Sequence, residues 1–309
     1  MSPLRDLAHR AAAGLTGRIA SRLLPGGPAV AVLLYHRVVP RVGRNPWSLE
    51  VGEENFREQM RWLRSRYPVL PLERALADLE AGSLPARQVV CISFDDGYRD
   101  NLTRALPILE ELELPATLFL TTGYVGSGRP FWWDLMDRIG TATVPQGLRP
   151  GEDPYGCAKA LEPRARERWL GELGCPARSF SREDLPLDAE EIPRLAGRFH
   201  LGGHGHDHVS LGLVPGEVAD ADVEACAQAL ERIGGSRPPL FAYPFGGPED
   251  VSPHAVDAVR SAGFSAAFTT GFGVVRRGAE PLRLPRVWVH DGDGRSLAGP
   301  LLRAFARSR

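Results

Sequence analysis

The chain has 309 residues, 43% hydrophobic and 24% charged, which suits one large α/β domain or two small ones with ample length to bury a core. Lys+Arg number 37 and Asp+Glu 38, and the formal net charge of −1 argues against an overall basic nucleic-acid binder. The cysteines Cys91, Cys157, Cys175 and Cys226 form no C-x-x-C pair, so neither a structural zinc site nor a thioredoxin-like redox pair is indicated.

Residues 4–23 place Leu4, Leu7, Ala11, Leu15, Ile19 and Leu23 at spacings of three and four, the pattern of an amphipathic helix. Arg5, Arg10, Arg18 and Arg22 line much of the remainder and break up any signal-peptide core. No apolar run approaches the ~20 residues that span a bilayer. Such a helix either packs on the domain or lies on an anionic membrane surface. The chain therefore reads as cytoplasmic, with peripheral membrane contact through residues 4–23 as the sharper alternative. Leu24-Pro25-Gly26-Gly27-Pro28 stops the helix, giving a helix and linker over 1–28 and the main domain over 29–309.

The apolar run Val30–Tyr35 fits a strand buried on both faces of a parallel sheet. Helical spacing follows over 53–66, with Phe56, Met60 and Leu63 on one face, and over 72–81. Val89–Phe94 is a second buried strand, Asn101–Leu112 a helix and Ala116–Thr121 a third strand. Residues 140–185 are rich in Gly, Pro and charge and read as an insertion with one short helix near Arg164–Leu173. Beyond it come a strand at Phe199–Leu201, a long helix at Glu217–Ile233, a strand at Leu240–Ala242 and a helix at Pro253–Ala262. Strands at Ser265–Thr269 and Leu284–Val289 complete the set. This rhythm implies right-handed βαβ units and one parallel β/α barrel or barrel-like sheet. The site of such a fold belongs at the carboxyl ends of the strands.

Four strands deliver polar residues to that rim: His36, Asp95-Asp96, His204 and Tyr243. Adjacent carboxylates repel, and burying either alone is costly. A metal ion relieves both problems when one carboxylate ligates and the other stays free as a base. A helix N-cap is the plainer role for Asp96. The segment His204-Gly205-His206-Asp207-His208 holds three of the eight histidines. His204 and His208 have the i, i+4 spacing that lets two imidazoles meet one ion, and His206 with His208 at strand spacing is the competing pair. Two histidines and one carboxylate with open positions suit Zn²⁺, and also Fe, Co or Ni.

These residues carry a resemblance. Ser93-Phe94-Asp95-Asp96-Gly97-Tyr98 resembles the T-F-D-D-G motif of polysaccharide deacetylases, the NodB-homology or carbohydrate esterase family 4. His204 to His208 resembles that family's H-[ST]-x-x-H motif, with Gly205 where Ser or Thr is usual. Phe241-Ala242-Tyr243-Pro244-Phe245-Gly246 resembles its third motif. Leu34-Tyr35-His36-Arg37-Val38 resembles the L-x-Y-H-x-V opening of the branch that includes exopolysaccharide deacetylases.

The resemblance implies a distorted, NodB-like parallel (β/α) barrel. It makes Asp96, His204 and His208 the metal ligands, in preference to His206, and Asp95 the general base. Two features depart from the family pattern: the usual arginine of the third motif and the late Leu-x-His acid are not clear. Arg286 at another strand end is the candidate partner for Asp95. His36 is the leading candidate acid, with His290 as its competitor. An oxyanion donor is expected near Tyr243–Phe245, and Trp132 or Trp133 could line a glycan cleft by stacking on sugar rings.

The activity implied is metal-dependent hydrolysis of an N-acetyl group on an amino sugar, in a polysaccharide or a glycan precursor. An amidase on a non-sugar C–N bond and a glycan-binding protein with an inactive site are the competing readings. The intact Asp95, Asp96, His204, His208 set argues against the inactive site. The Trp132–Trp133 pair favours sugar over a small amide.

Overall fold

The computed structural model describes residues 27–139, 153–172, 180–195 and 197–307. The helix expected over 4–23 lies outside the described residues, as do 140–152 and 173–179 of the expected insertion.

β1 (Ala29–Tyr35) is buried along its whole length. Two three-residue strands, β2 (Arg37–Val39) and β3 (Glu50–Gly52), pair in parallel beside it as a separate sheet. α1 (Glu53–Arg66) buries Phe56, Met60 and Leu63, the face marked by their spacing. α2 (Leu72–Ala81) buries Leu72, Ala75 and Leu79 and ends at Gly82 in the left-handed conformation. β4 (Gln88–Phe94) follows. The single helix expected over Asn101–Leu112 is instead a π-helical turn, Asn101–Ala105, that runs into α3 (Leu106–Glu111). Pro107 has no N–H to give the preceding turn, and the Leu106 N–H reaches back five residues to the Asn101 carbonyl.

After β5 (Ala116–Leu120) come α4 (Trp132–Ile139), α5 (Pro154–Ala160) and α6 (Pro163–Glu172). The remainder alternates: β6 (Phe199–Gly203), α7 (Gly216–Gly234), β7 (Leu240–Ala242), α8 (Pro253–Ser261) and β8 (Ala266–Phe272). The chain closes with β9 (Val275–Arg276), β10 (Leu284–Trp288) and α9 (Ala298–Ala306).

Among the described residues, seven parallel strands form a closed barrel in the order β1-β4-β5-β6-β7-β8-β10, with β10 returning to pair with β1. β9 runs antiparallel against β1. Side chains alternate along β1. Val30 and Val32 join Val89, Cys91, Phe119, Leu240 and Phe268 inside the barrel. Ala31, Leu33 and Tyr35 join Phe56, Met60 and Leu109 in the layer between barrel and helices. α2 packs its Leu72, Ala75 and Leu79 onto the interior cluster.

Register levels the strand ends. Tyr35 is paired with Phe94 and Leu120 with Gly203, so His36, Asp95 and His204 emerge at the same end of the barrel.

Candidate active site

Asp95 and Asp96 leave β4 in different directions. The Asp95 N–H donates to the Tyr35 carbonyl, which continues the sheet by one residue. Asp96 then turns at a φ of 72°, a region that non-glycine residues seldom occupy. Gly97 continues the turn at a φ of 94°, and a Cβ there would sit 2.6 Å from Leu120 Cδ2. The result is two buried carboxylates with different partners.

Asp96 Oδ1 lies 3.4 Å from the Nε2 atoms of both His204 and His208. One donor atom from each of these residues falls within 4.8 Å of the others, so the three could hold a metal ion. His204 Nδ1 is 2.8 Å from the Ala242 carbonyl, which fixes the tautomer and turns Nε2 toward Asp96. Such a carbonyl partner is the usual support of a ligating histidine. His206 faces elsewhere, with Nδ1 2.9 Å from Thr122 Oγ1. The donor set, one carboxylate and two oriented imidazoles, suits a divalent cation of the zinc type.

The charges shape one another. Burial alone would raise the Asp96 carboxyl, but hydrogen bonds to His204 and His208 hold it far below the usual carboxylate range. Burial pushes His208 down to about 4 against the pull of Asp96, leaving the neutral imidazole that a metal requires. Burial also acts to lower His204, yet Asp95 and Asp96 overrule it and hold that imidazole above its usual range.

Asp95 belongs to Arg286 on β10. Arg286 Nη1 and Nη2 donate to Asp95 Oδ1 and Oδ2 at 2.7 and 2.8 Å, a bidentate pair in which both groups are buried. Arg286 Nε donates to the Thr269 carbonyl, which fixes the fork. Burial works to raise Asp95, and Arg286 outweighs it, so the carboxyl lies below its ordinary value.

His36 follows β1, with its carbonyl held by Asn101 Nδ2 at 2.9 Å. Burial lowers its imidazole from the ordinary value while Asp96 and Asp95 pull the other way. The His290 side chain is exposed, and its carbonyl is tied to Gln59 Nε2 at 3.2 Å.

Two expectations about the surrounding residues need correction. Tyr243 offers no group to an oxyanion: its hydroxyl donates to the Leu282 carbonyl and its N–H to the Phe268 carbonyl. Phe245, at a φ of 62°, keeps an N–H without a protein partner among the described residues, and its ring lies 4.7 Å from His208. Trp132 and Trp133 are 1% and 2% exposed and line no open cleft. They begin α4 and pack with Phe131 and Tyr98 in one buried cluster. Trp133 forms a wall 4.2 Å from the His208 ring and donates its N–H to the Tyr98 hydroxyl.

The segment expected to be an insertion contributes to the site. From α6, Arg166 donates to the Asp207 carbonyl at 2.6 Å and the His208 carbonyl at 3.5 Å, and its guanidinium covers the Trp132 ring. From α7, Asp222 accepts the N–H groups of His206 and Asp207. The loop holding both histidines is thus clamped from two sides. Gly205 fits this clamp: its φ is 75°, and a Cβ would lie 2.7 Å from Asp222 Oδ2. Arg166 and Leu170, both buried and four apart, mark the face of α6 that turns to the core.

A family profile described as polysaccharide deacetylase matches residues 83–267, more than half of the chain. The chain belongs to the polysaccharide deacetylase family. Among curated relatives, YxkH of Bacillus subtilis is 32% identical over 96 residues, 31% of this chain and 33% of that protein. The poly-β-1,6-N-acetyl-D-glucosamine N-deacetylase of Staphylococcus epidermidis is 35% identical over 107 residues, 31% of this chain and 37% of that protein. These matches span little more than a third of either relative. The Streptococcus pyogenes deacetylase PplD, solved with acetate, shares the fold with a TM-score of 0.64 at 17% identity, covering 89% of this chain and 99% of that one.

Proposed function

We propose that this protein hydrolyses N-acetyl groups on amino sugars of a polysaccharide or glycan precursor, with a divalent cation held by Asp96, His204 and His208. Zn²⁺ is the first choice, and Co²⁺, Ni²⁺ and Fe²⁺ fit the same donors. The observation that carries the reading is the division of two adjacent buried carboxylates, Asp96 toward two imidazoles and Asp95 into a bidentate arginine pair. A binding protein has no use for that costly arrangement. The S. epidermidis relative is named for a β-1,6-linked N-acetylglucosamine polymer, which makes that polymer the first substrate to try. No described helix is long and apolar enough to cross a membrane. Residues 4–23 supply the proposed contact with a membrane surface.

The cation, when bound, lowers the pKa of a water and polarises the acetyl carbonyl. Asp95 takes the water proton. Arg286 keeps that carboxylate ionised at neutral pH and fixes its direction. The Phe245 N–H donates to the carbonyl oxygen as negative charge grows there. His36 gives a proton to the departing sugar nitrogen. Burial holds its imidazole low in the resting site, so His36 takes up a proton from solvent before the C–N bond breaks, and the proton held on Asp95 returns to solvent as acetate leaves. Acetate and a free amino sugar leave.

Acetate release from a panel of N-acetylated glycans tests this. Asp95→Asn should keep its bound metal and lose about 10²–10⁴-fold in turnover, and His36→Ala about 10²-fold. His290→Ala should change little. Turnover of Asp95→Asn within a few-fold of the wild type would remove Asp95 from the role of base.

A further inference from the structure

With Trp132 and Trp133 buried, the sugar-facing aromatic has to be sought elsewhere. Trp47 is among the large hydrophobic residues most exposed on the described surface, at 36%. It is on the loop joining β2 to β3, in no helix or strand that would explain it as packing. One face of its indole stacks on Tyr155 of α5, with centroids 4.1 Å apart and planes 26° apart.

Two separate paths tie Trp47 to the site. On one side Tyr155 lies 6.4 Å from Phe245, and Phe245 lies 4.7 Å from the ligand candidate His208. On the other, the neighbouring Ser48 carbonyl accepts the Trp288 indole N–H at 3.3 Å. The Trp288 ring sits 5.5 Å from His36. These are short steps, so Trp47 stands at the same end of the barrel as His36 and His208, within a few sugar rings of the candidate metal ligands.

The loop is built to hold the indole there. Asn45 Oδ1 accepts the N–H groups of Leu49 and Glu50 at 2.8 and 3.3 Å, and Asn45 Nδ2 donates to the Glu50 carbonyl at 3.1 Å. The Ser48 N–H closes a turn onto the Asn45 carbonyl, and Ser48 adopts a φ of 55°. A single asparagine thus fixes both ends of the turn. Little order remains to be lost when a ligand arrives, which favours binding.

We propose that Trp47, backed by Tyr155, is a stacking subsite for a pyranose ring a few residues along the chain from the one being deacetylated, so that the protein selects polymeric over monomeric substrate. This rests on the deacetylase reading above. The free face of the indole would cover the C–H face of that sugar. The contact is remote from the bond that breaks, so it acts on binding and not on the chemical step.

The test measures calorimetric binding and acetate release in parallel, using β-1,6-linked N-acetylglucosamine oligomers from two to six sugars and a small acetylated amine. The variants are Trp47→Ala and Trp47→Phe. Wild-type affinity and kcat/KM should rise with oligomer length. Trp47→Ala should lose that rise, with about a tenfold weaker Kd and higher KM for the hexamer, kcat nearly unchanged, and an unaltered small substrate. Trp47→Phe should restore most of the loss. An unchanged length dependence in Trp47→Ala overturns the subsite. Binding of the hexamer by the wild type without acetate release would overturn the deacetylase reading, while the affinity ratio of wild type to Trp47→Ala would still decide the subsite.

Discussion

The two ends of the barrel are built from the same strands and differ in almost everything else. At the amino end α2 packs Leu72, Ala75 and Leu79 onto the interior cluster, and Leu240, Ala266 and Leu284 of β7, β8 and β10 line an apolar groove of about 300 Å³ beside it. At the carboxyl end the strands deliver Asp95, Asp96, His204, His208 and Arg286, all buried. Three of the five non-glycine residues with positive φ among the described residues lie beside the buried charges, while Glu113 precedes β5 at the other end. Asp96, His208 and Phe245 have φ of 72°, 52° and 62° at the polar end. Strain and buried charge both cost stability, and the apolar interior must offset that cost. One end therefore carries stability and the other chemistry, which makes them separable by mutation.

The largest effect expected is at the polar end. His204→Ala should weaken metal binding by more than about 100-fold and abolish turnover, because a ligand is lost whose removal exceeds the effect of disturbing its supports. His206→Ala should keep the metal. Elemental analysis of both purified variants checks this. Full occupancy in His204→Ala with loss in His206→Ala would mean that the ion sits elsewhere in the loop.

At the apolar end the separation runs the other way. Leu79 is 2% exposed under the barrel. Leu79→Ala should cost about 2–5 kcal/mol of stability, seen as a lower melting temperature, while kcat of the folded fraction stays the same. A loss of kcat with intact metal would show that the two ends are coupled.

A smaller effect sharpens the contrast within the polar end. Burial raises the Asp134 carboxyl, which accepts the Tyr98 hydroxyl beside Trp133, to about 7. Its value in an unfolded chain is ~3.9. The folded state thus prefers the neutral form. Its contribution to stability is complete below about pH 4 and is lost as pH rises through about 7. Asp134→Asn removes this loss. Its melting temperature relative to the wild type should gain a few degrees between about pH 5 and about pH 8. A constant difference would mean that the carboxyl is already ionised at the lower pH.

Much of this was legible in the sequence, for physical reasons. β1 and β4 are short runs dominated by Val, Leu, Ala, Ile and Cys, and their burial on both faces is the pattern of a parallel strand once helices alternate with them. Arg286 was readable as a candidate partner for Asp95, although it lies in the middle of β10 and not at its end, and its long side chain covers the remaining distance to the rim. The β2–β3 pair was not readable, since three residues carry no period. α4 was hidden by its own aromatics, where Trp132-Trp133 suggested a cleft and the helix instead turned them inward. In the 154–172 segment the short helix expected near Arg164–Leu173 is present as α6, but α5 was hidden by composition, and so was the reach of one buried guanidinium, Arg166, to the carbonyls of Asp207 and His208. Long-range partnership of that kind leaves no local pattern.

The central claim is that Asp96, His204 and His208 hold the ion on which hydrolysis depends. It is tested most directly by measuring metal content and acetate release on the same preparation before chelation, after chelation, and after Zn²⁺ or Co²⁺ is returned. The account expects about one divalent ion per chain, loss of ion and activity together, and recovery of both in the wild type but not in Asp96→Ala. Undiminished acetate release from fully metal-free protein would contradict it.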